Sequence, residues 1–262
     1  MVRALITGLM ISACASMIGV SLVLKHYSMM GDGLSHVGFG TLALAVVLNQ
    51  SPIYLSLPVV MMCAFLLLSI SRRSKMQADA AIALISTTAL AIGVMLLSLT
   101  TGMNTDVCNY LFGSILGMKI SDMYVTIFLC TAIIIIYLLF FRTIFAVTFD
   151  ESFAKASGIN VKLYNMTLAL MSAVIITLGM RMMGALLISN LIVIPALTAM
   201  RVCRSFRNVV IYSLIISVFC FMAGLYISYE FATPTGASIV IVNVIVLLLH
   251  VVIEKTVYKN VA

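Results

Sequence analysis

Apolar runs close to the roughly 20 residues that cross a bilayer follow one another along almost the whole of this chain. No other feature narrows the fold so far. In hydrocarbon every backbone amide and carbonyl has to bond within the protein, and a helix meets that demand by itself. Only 9% of the residues are charged against 63% hydrophobic, whereas a water-soluble domain carries about a quarter charged residues. We therefore read the fold as all-α, a polytopic membrane helical bundle of eight or nine spans. It forms a single transmembrane domain over residues 1–262. The spans fall at about 4–24, 27–48, 52–70, 80–99, 122–141, 162–179, 182–200, 209–228 and 235–253. The first run leads straight into further spans without a small-residue cleavage site, so it reads as a span and not as a cleavable signal peptide.

The net charge of +7 resides in short connections, as the positive-inside rule expects, and not in a nucleic-acid-binding surface. Arg72, Arg73 and Lys75 follow the third span. Arg142, Lys155 and Lys162 lie between the fifth and sixth, Arg201, Arg204 and Arg207 between the seventh and eighth, and Lys255 and Lys259 after the last. The intervening loops are poor in Lys and Arg, which predicts a cytoplasmic C-terminus. Arg181 breaks the pattern. It falls on the outer side or lines something polar within the bundle. Pro195 lies deep in the seventh span, where a missing amide should kink the helix. The six cysteines show no CxxC spacing and read as small packing residues.

Three stretches hold the remaining chemistry. GDGLSH, residues 31–36, places Asp32 and His36 four residues apart, on one face of a helix. An acid in hydrocarbon usually faces a cavity or a partner, and a carboxylate with an imidazole suits Zn²⁺, Mn²⁺ or Fe²⁺. The same spacing also arises when Asp32 caps a helix starting at Gly33 and His36 packs quietly, and spacing alone leaves both open. The second stretch, 149–158, lets Asp150 cap a two-turn helix that Gly158 stops. So short a helix needs something to hold it, either the underside of the bundle or another chain. The third stretch, 106–113, offers Asp106 as a vestibule ligand or a solvated loop residue. Glu230 and His250 are lone ionisable groups near span ends. GxxxxGK[ST] and HExxH do not occur in the sequence, so ATP-driven work would need a separate ATPase chain.

These residues resemble a known family, the permease subunits of bacterial ABC importers for zinc, manganese or iron. Lys25 and His26 followed by GDGLSH, Asp106 with YLFGSIL, FDESFAKASGINVKLYN, and MRMMGALLISNLIVIPALTAMR including Pro195 are similar to four family segments, in the same order. The resemblance implies a bundle similar to the vitamin B12 importer class, in the bacterial cytoplasmic (inner) membrane. It implies a transport subunit that is not itself an enzyme. Two permeases would pair, cytoplasmic ATP-binding subunits would dock below, and an extracytoplasmic metal-binding protein would deliver cargo above. No cofactor is bound permanently; a transported divalent metal is implied. Asp32, His36 and Asp106 would meet that metal. Asp150, Glu151, Phe153, Ala154 and Gly158 would form the coupling segment to the ATPase, and Pro195 would serve gating. Some members carry histidines where this chain has Cys108, Asn109, Thr87 and Thr88. Thr233-Pro234-Thr235-Gly236 resembles a turn of the zinc-type permeases, which favours zinc over manganese or iron.

Overall fold

The computed structural model describes residues 2–48, 52–73, 78–100 and 120–259. Nine long helices occupy them: α1 (Val2–Leu24), α2 (Ser28–Val47), α3 (Pro52–Arg73), α4 (Ala78–Thr100), α5 (Ile120–Leu139), α8 (Val161–Met183), α9 (Ala185–Val202), α10 (Phe206–Phe231) and α11 (Thr235–Lys259). Two short helices, α6 (Phe141–Phe149) and α7 (Glu151–Ala156), join α5 to α8. The long helices coincide with the nine spans expected from the sequence, within a few residues at their ends. Seven of them are long and apolar enough to cross a membrane. The other two, α3 and α9, carry shorter apolar stretches, Leu55–Ser69 and Leu187–Val202.

Helix ends are marked by local chemistry. The Asn160 side chain accepts from the Leu163 amide at the start of α8, and Ser205 does the same for Asn208 at the start of α10. Gly184, at φ 89°, ends α8 and starts α9 without an intervening loop. That backbone lies in the left-handed region, which glycine adopts without a Cβ penalty.

At the centre α1 packs on α9 and α10, and α2 packs on α4, α3 and α9. Between helices in lipid the hydrophobic effect contributes little, so close backbone approach and van der Waals contact hold them together. Gly19 of α1 lies so near α9 that a Cβ there would sit 1.9 Å from the Ile192 carbonyl oxygen. Gly40 of α2 and Gly93 of α4 meet similarly: a Cβ on Gly93 would come 2.9 Å from the Gly40 Cα. Several hydroxyl groups inside the bundle bond to backbone carbonyls. Thr177 and Thr198 donate to carbonyls one turn back in their own helices, and Ser217 of α10 donates across to the Ser12 carbonyl of α1. Outward faces of α4, α5 and α11 carry exposed Leu99, Phe128, Leu138 and Leu248, a surface suited to lipid.

Gly19→Ala should force α1 and α9 apart, costing about 1–3 kcal/mol or more as overpacking against rigid backbone. Gly31→Ala is the control. Its Cβ would meet only ordinary contacts at 3.6 Å, so stability should hold or rise slightly through better helix propensity. Thermal unfolding of the two variants in the same detergent, followed by size-exclusion, compares them directly.

Candidate functional site

Asp32 stands in the second turn of α2, and the helix begins four residues before it, at Ser28. The capping alternative therefore falls: Tyr27 holds the N-cap position, no side chain caps it, and the Asp32 carbonyl accepts from Ser35 inside the helix. Asp32 Oδ2 lies 3.6 Å from His36 Nε2, and 49% of the Asp32 side chain is exposed. Its Oδ1 lies 3.5 Å from Ser189 Oγ on α9. At 3.6 Å the carboxylate and imidazole are not hydrogen bonded. The gap does suit an ion, since two ligands about 2.1 Å from a tetrahedral zinc stand about 3.4 Å apart. His36 Nδ1 is buried and finds no partner among the described residues. Among those residues no third His, Cys, Asp or Glu joins the pair, and Asp106 lies outside them. Ser189 was not read from the sequence as part of this site. A serine in an apolar helix carries no signal of what faces it, and 157 residues separate it from Asp32.

The 150–158 segment forms the short capped helix, and the bundle itself holds it. Asp150 Oδ1 accepts from the Ser152 and Phe153 amides, capping α7. Gly158, at φ 80°, follows its end. Ala154 is fully buried against Val147 and Val161, so it anchors the helix, whereas Phe153 is 65% exposed. Glu151 turns inward. Its Oε1 accepts 2.8 Å bonds from Lys25 Nζ and from Asn165 Nδ2, and Lys25 also donates to Asn165 Oδ1. Lys25 directly follows α1 and its side chain is only 5% exposed. Lys25 and His26 stand together as a motif in the sequence, which carries no local signal of the Lys25 partners.

Other expectations resolve one by one. Arg181, at the end of α8, pairs with Asp122 at the start of α5, Nη1 to Oδ2 3.0 Å, so it lines a polar contact within the bundle. Asp122 had drawn no notice in the sequence. Pro195 leaves α9 continuous from Ala185 to Val202, although it cannot donate to the Leu191 carbonyl. His250 is a satisfied residue: Nδ1 meets the Val246 carbonyl at 2.8 Å and Nε2 the Tyr212 hydroxyl at 2.9 Å. The Thr233–Gly236 stretch leads from α10 into α11 and is tied to both helices, with Ser228 Oγ of α10 donating to the Thr233 carbonyl at 2.7 Å and the Thr233 hydroxyl 2.7 Å from that of Ser238 in α11. Arg201 and Glu254 join the C-terminal ends of α9 and α11 at 2.7 Å.

Comparison with known proteins agrees with this architecture. The ABC 3 transport family profile matches residues 1–254. The chain is 29% identical over 241 residues to the high-affinity zinc uptake system membrane protein ZnuB of Haemophilus influenzae, covering 91% of each. It is 27% identical to the manganese import system permease protein ScaB of Streptococcus gordonii, covering 94% of this chain and 88% of that protein. Among solved structures, PsaBC from Streptococcus pneumoniae in complex with Fab superposes with a TM-score of 0.84. It is 29% identical and the match covers 95% of this chain and 89% of the other.

The Arg181–Asp122 pair permits a sharp test. Arg181→Met leaves a mostly buried carboxylate without its cation and should destabilise the protein by about 3–5 kcal/mol. The double variant Arg181→Met with Asp122→Leu should recover most of that loss, read as apparent melting temperature in detergent.

Proposed function

The chain belongs to the ABC 3 transport family, and from that premise we propose that it is the membrane permease of an ATP-driven importer for a divalent transition metal. It works by alternating access. A second copy would pair with it, ATP-binding subunits would dock on the α7 side, and an extracytoplasmic metal-binding protein would deliver the ion. The membrane would be the bacterial cytoplasmic one, with the C-terminus inside. The observation that carries the reading is the Asp32–His36 pair. An ionised carboxylate in a membrane helix usually faces a cavity or a partner, so a half-exposed Asp32 in the second turn of α2 calls for water, a cation or a second chain beside it. Met29 on the same helix is also exposed, and so is Leu197 of the neighbouring α9. This face suits the paired permease, with the ion passing between the two copies.

Asp32 and His36 supply two donors and Ser189 a weak third, too few for a closed cage. Loose coordination serves conduction, because the ion must leave as well as enter. Asp106 is a further ligand on the delivery side in this reading. We favour zinc, on the nitrogen and oxygen donors and on the Thr233–Gly236 turn, with manganese the alternative the test must address. Phe153, exposed on the capped α7 that Ala154 anchors, is the natural contact for the ATPase. Asp150, Ala154 and Gly158 shape that helix, and Pro195 weakens α9 where gating would need it to give.

Asp32→Asn and His36→Ala should each lower metal uptake roughly tenfold or more, the expected loss when a metal ligand is removed, with assembly unchanged by size-exclusion. The measurement is uptake of Zn²⁺ and Mn²⁺ into proteoliposomes holding the complete transporter. Uptake that persists without the ATPase, driven by an ion gradient, would replace the importer with a secondary transporter. Phe153→Ala should lower ATP hydrolysis stimulated by the loaded metal-binding protein more than it lowers assembly of the complex.

A further inference from the structure

Lys25 joins three parts of the chain that sequence keeps far apart. It directly follows α1, it is nearly buried, and its ammonium bridges Glu151 at the head of α7 and Asn165 in α8. Asn165 is buried as well and closes the triangle by donating to the same Glu151 oxygen. A buried ammonium with two such acceptors is fixed in place, because any shift would leave a charge unpaired away from water. The chain after Lys25 has no slack. His26 takes a left-handed backbone at φ 59°. The Tyr27 amide bonds the Leu22 carbonyl at 2.8 Å, and the Met30 amide bonds the Tyr27 carbonyl at 3.0 Å. Helix α2 starts at Ser28, and Asp32 lies one turn further on.

We propose that Lys25 is the positioning residue through which α7 sets the first turns of α2, and with them Asp32 and His36. A displacement of α7 carries Glu151, Glu151 draws Lys25, and the tight 25–28 turn passes the shift to the metal-facing pair. The ammonium touches neither metal nor nucleotide; it acts through Glu151. Glu151 accordingly serves as the inner grip of α7, while the outer face around Phe153 meets the ATPase. This inference rests on the permease reading above.

The test uses the complete transporter in proteoliposomes, measuring Zn²⁺ or Mn²⁺ uptake and ATP hydrolysis in the same preparation. Lys25→Met should lower the ratio of metal imported to ATP hydrolysed roughly tenfold, in the range of ordinary coupling between sites, with basal hydrolysis retained. Lys25→Arg, which keeps the charge, should retain most of the ratio. A loss of folded protein lowers uptake and hydrolysis together and leaves their ratio unchanged, so an unchanged ratio overturns the proposal. Glu151→Gln, an isostere at a partly exposed position, carries the test if Lys25→Met does not assemble, and the same fall is expected. Failure of both to assemble assigns the triad a purely structural role and equally overturns it. Wild-type vesicles without ATP-dependent uptake would instead reject the permease reading itself.

Discussion

Water lost around a charge sets the terms for every ionised group in this protein. In hydrocarbon such a group costs several kcal/mol unless a partner or a pocket of water replaces its hydration. Among the described residues three pairs meet that demand: Lys25 with Glu151, Arg181 with Asp122, and the more exposed Arg201 with Glu254. Each pair joins helices distant in sequence, so the pairs also fix which helix ends lie together. Asp32 departs from the pattern. Its nearest side-chain groups stand at 3.5 and 3.6 Å, at or beyond the limit of a hydrogen bond, and half of its surface is open. Under the proposed function, a carboxylate left under-satisfied there is the local cost of a place where a cation would pause without being trapped.

Close packing surrounds this loosely satisfied point. Gly40 and Gly93 bring α2 and α4 into backbone contact, and Gly19 does the same for α1 and α9. Such contacts have little give, because backbone atoms oppose the missing Cβ of Gly19 and Gly40, and the Gly40 Cα stands nearest that of Gly93. Movement within the bundle therefore favours its weaker joints. Gly184 makes an abrupt break between α8 and α9, and Pro195 removes a helical hydrogen bond. The short α7 is held differently. An Asp150 cap, a buried Ala154 and the Glu151 grip together keep a six-residue helix that would not persist alone in water.

The all-helical fold and nearly every helix boundary were legible in the sequence. A span announces itself by its own length and apolarity, without reference to any neighbour. Asp32 and His36 were legible as a pair because helical spacing is local, and so was the capped helix after Asp150. Ser189, Asp122 and the partners of Lys25 were not. Each acts across 59 or more residues of intervening chain, and serine, asparagine or a lone acid looks alike whether it faces lipid, water or an ammonium. Arg181 shows the boundary well. Its sequence position told that it was anomalous but not that Asp122 answered it.

By itself, then, the sequence determined a membrane-spanning helical bundle, the place of each long helix and the candidate metal pair, since hydrophobic length and four-residue spacing are properties of a single segment, whereas the short α6 (Phe141–Phe149) was not legible. Only the tertiary structure decided that Asp32 lies within α2 and does not cap it, that Ser189 faces it, and that Glu151 turns inward to Lys25. Those outcomes depend on which helices pack together, and that is settled by backbone approach and charge pairing between segments that no local pattern connects.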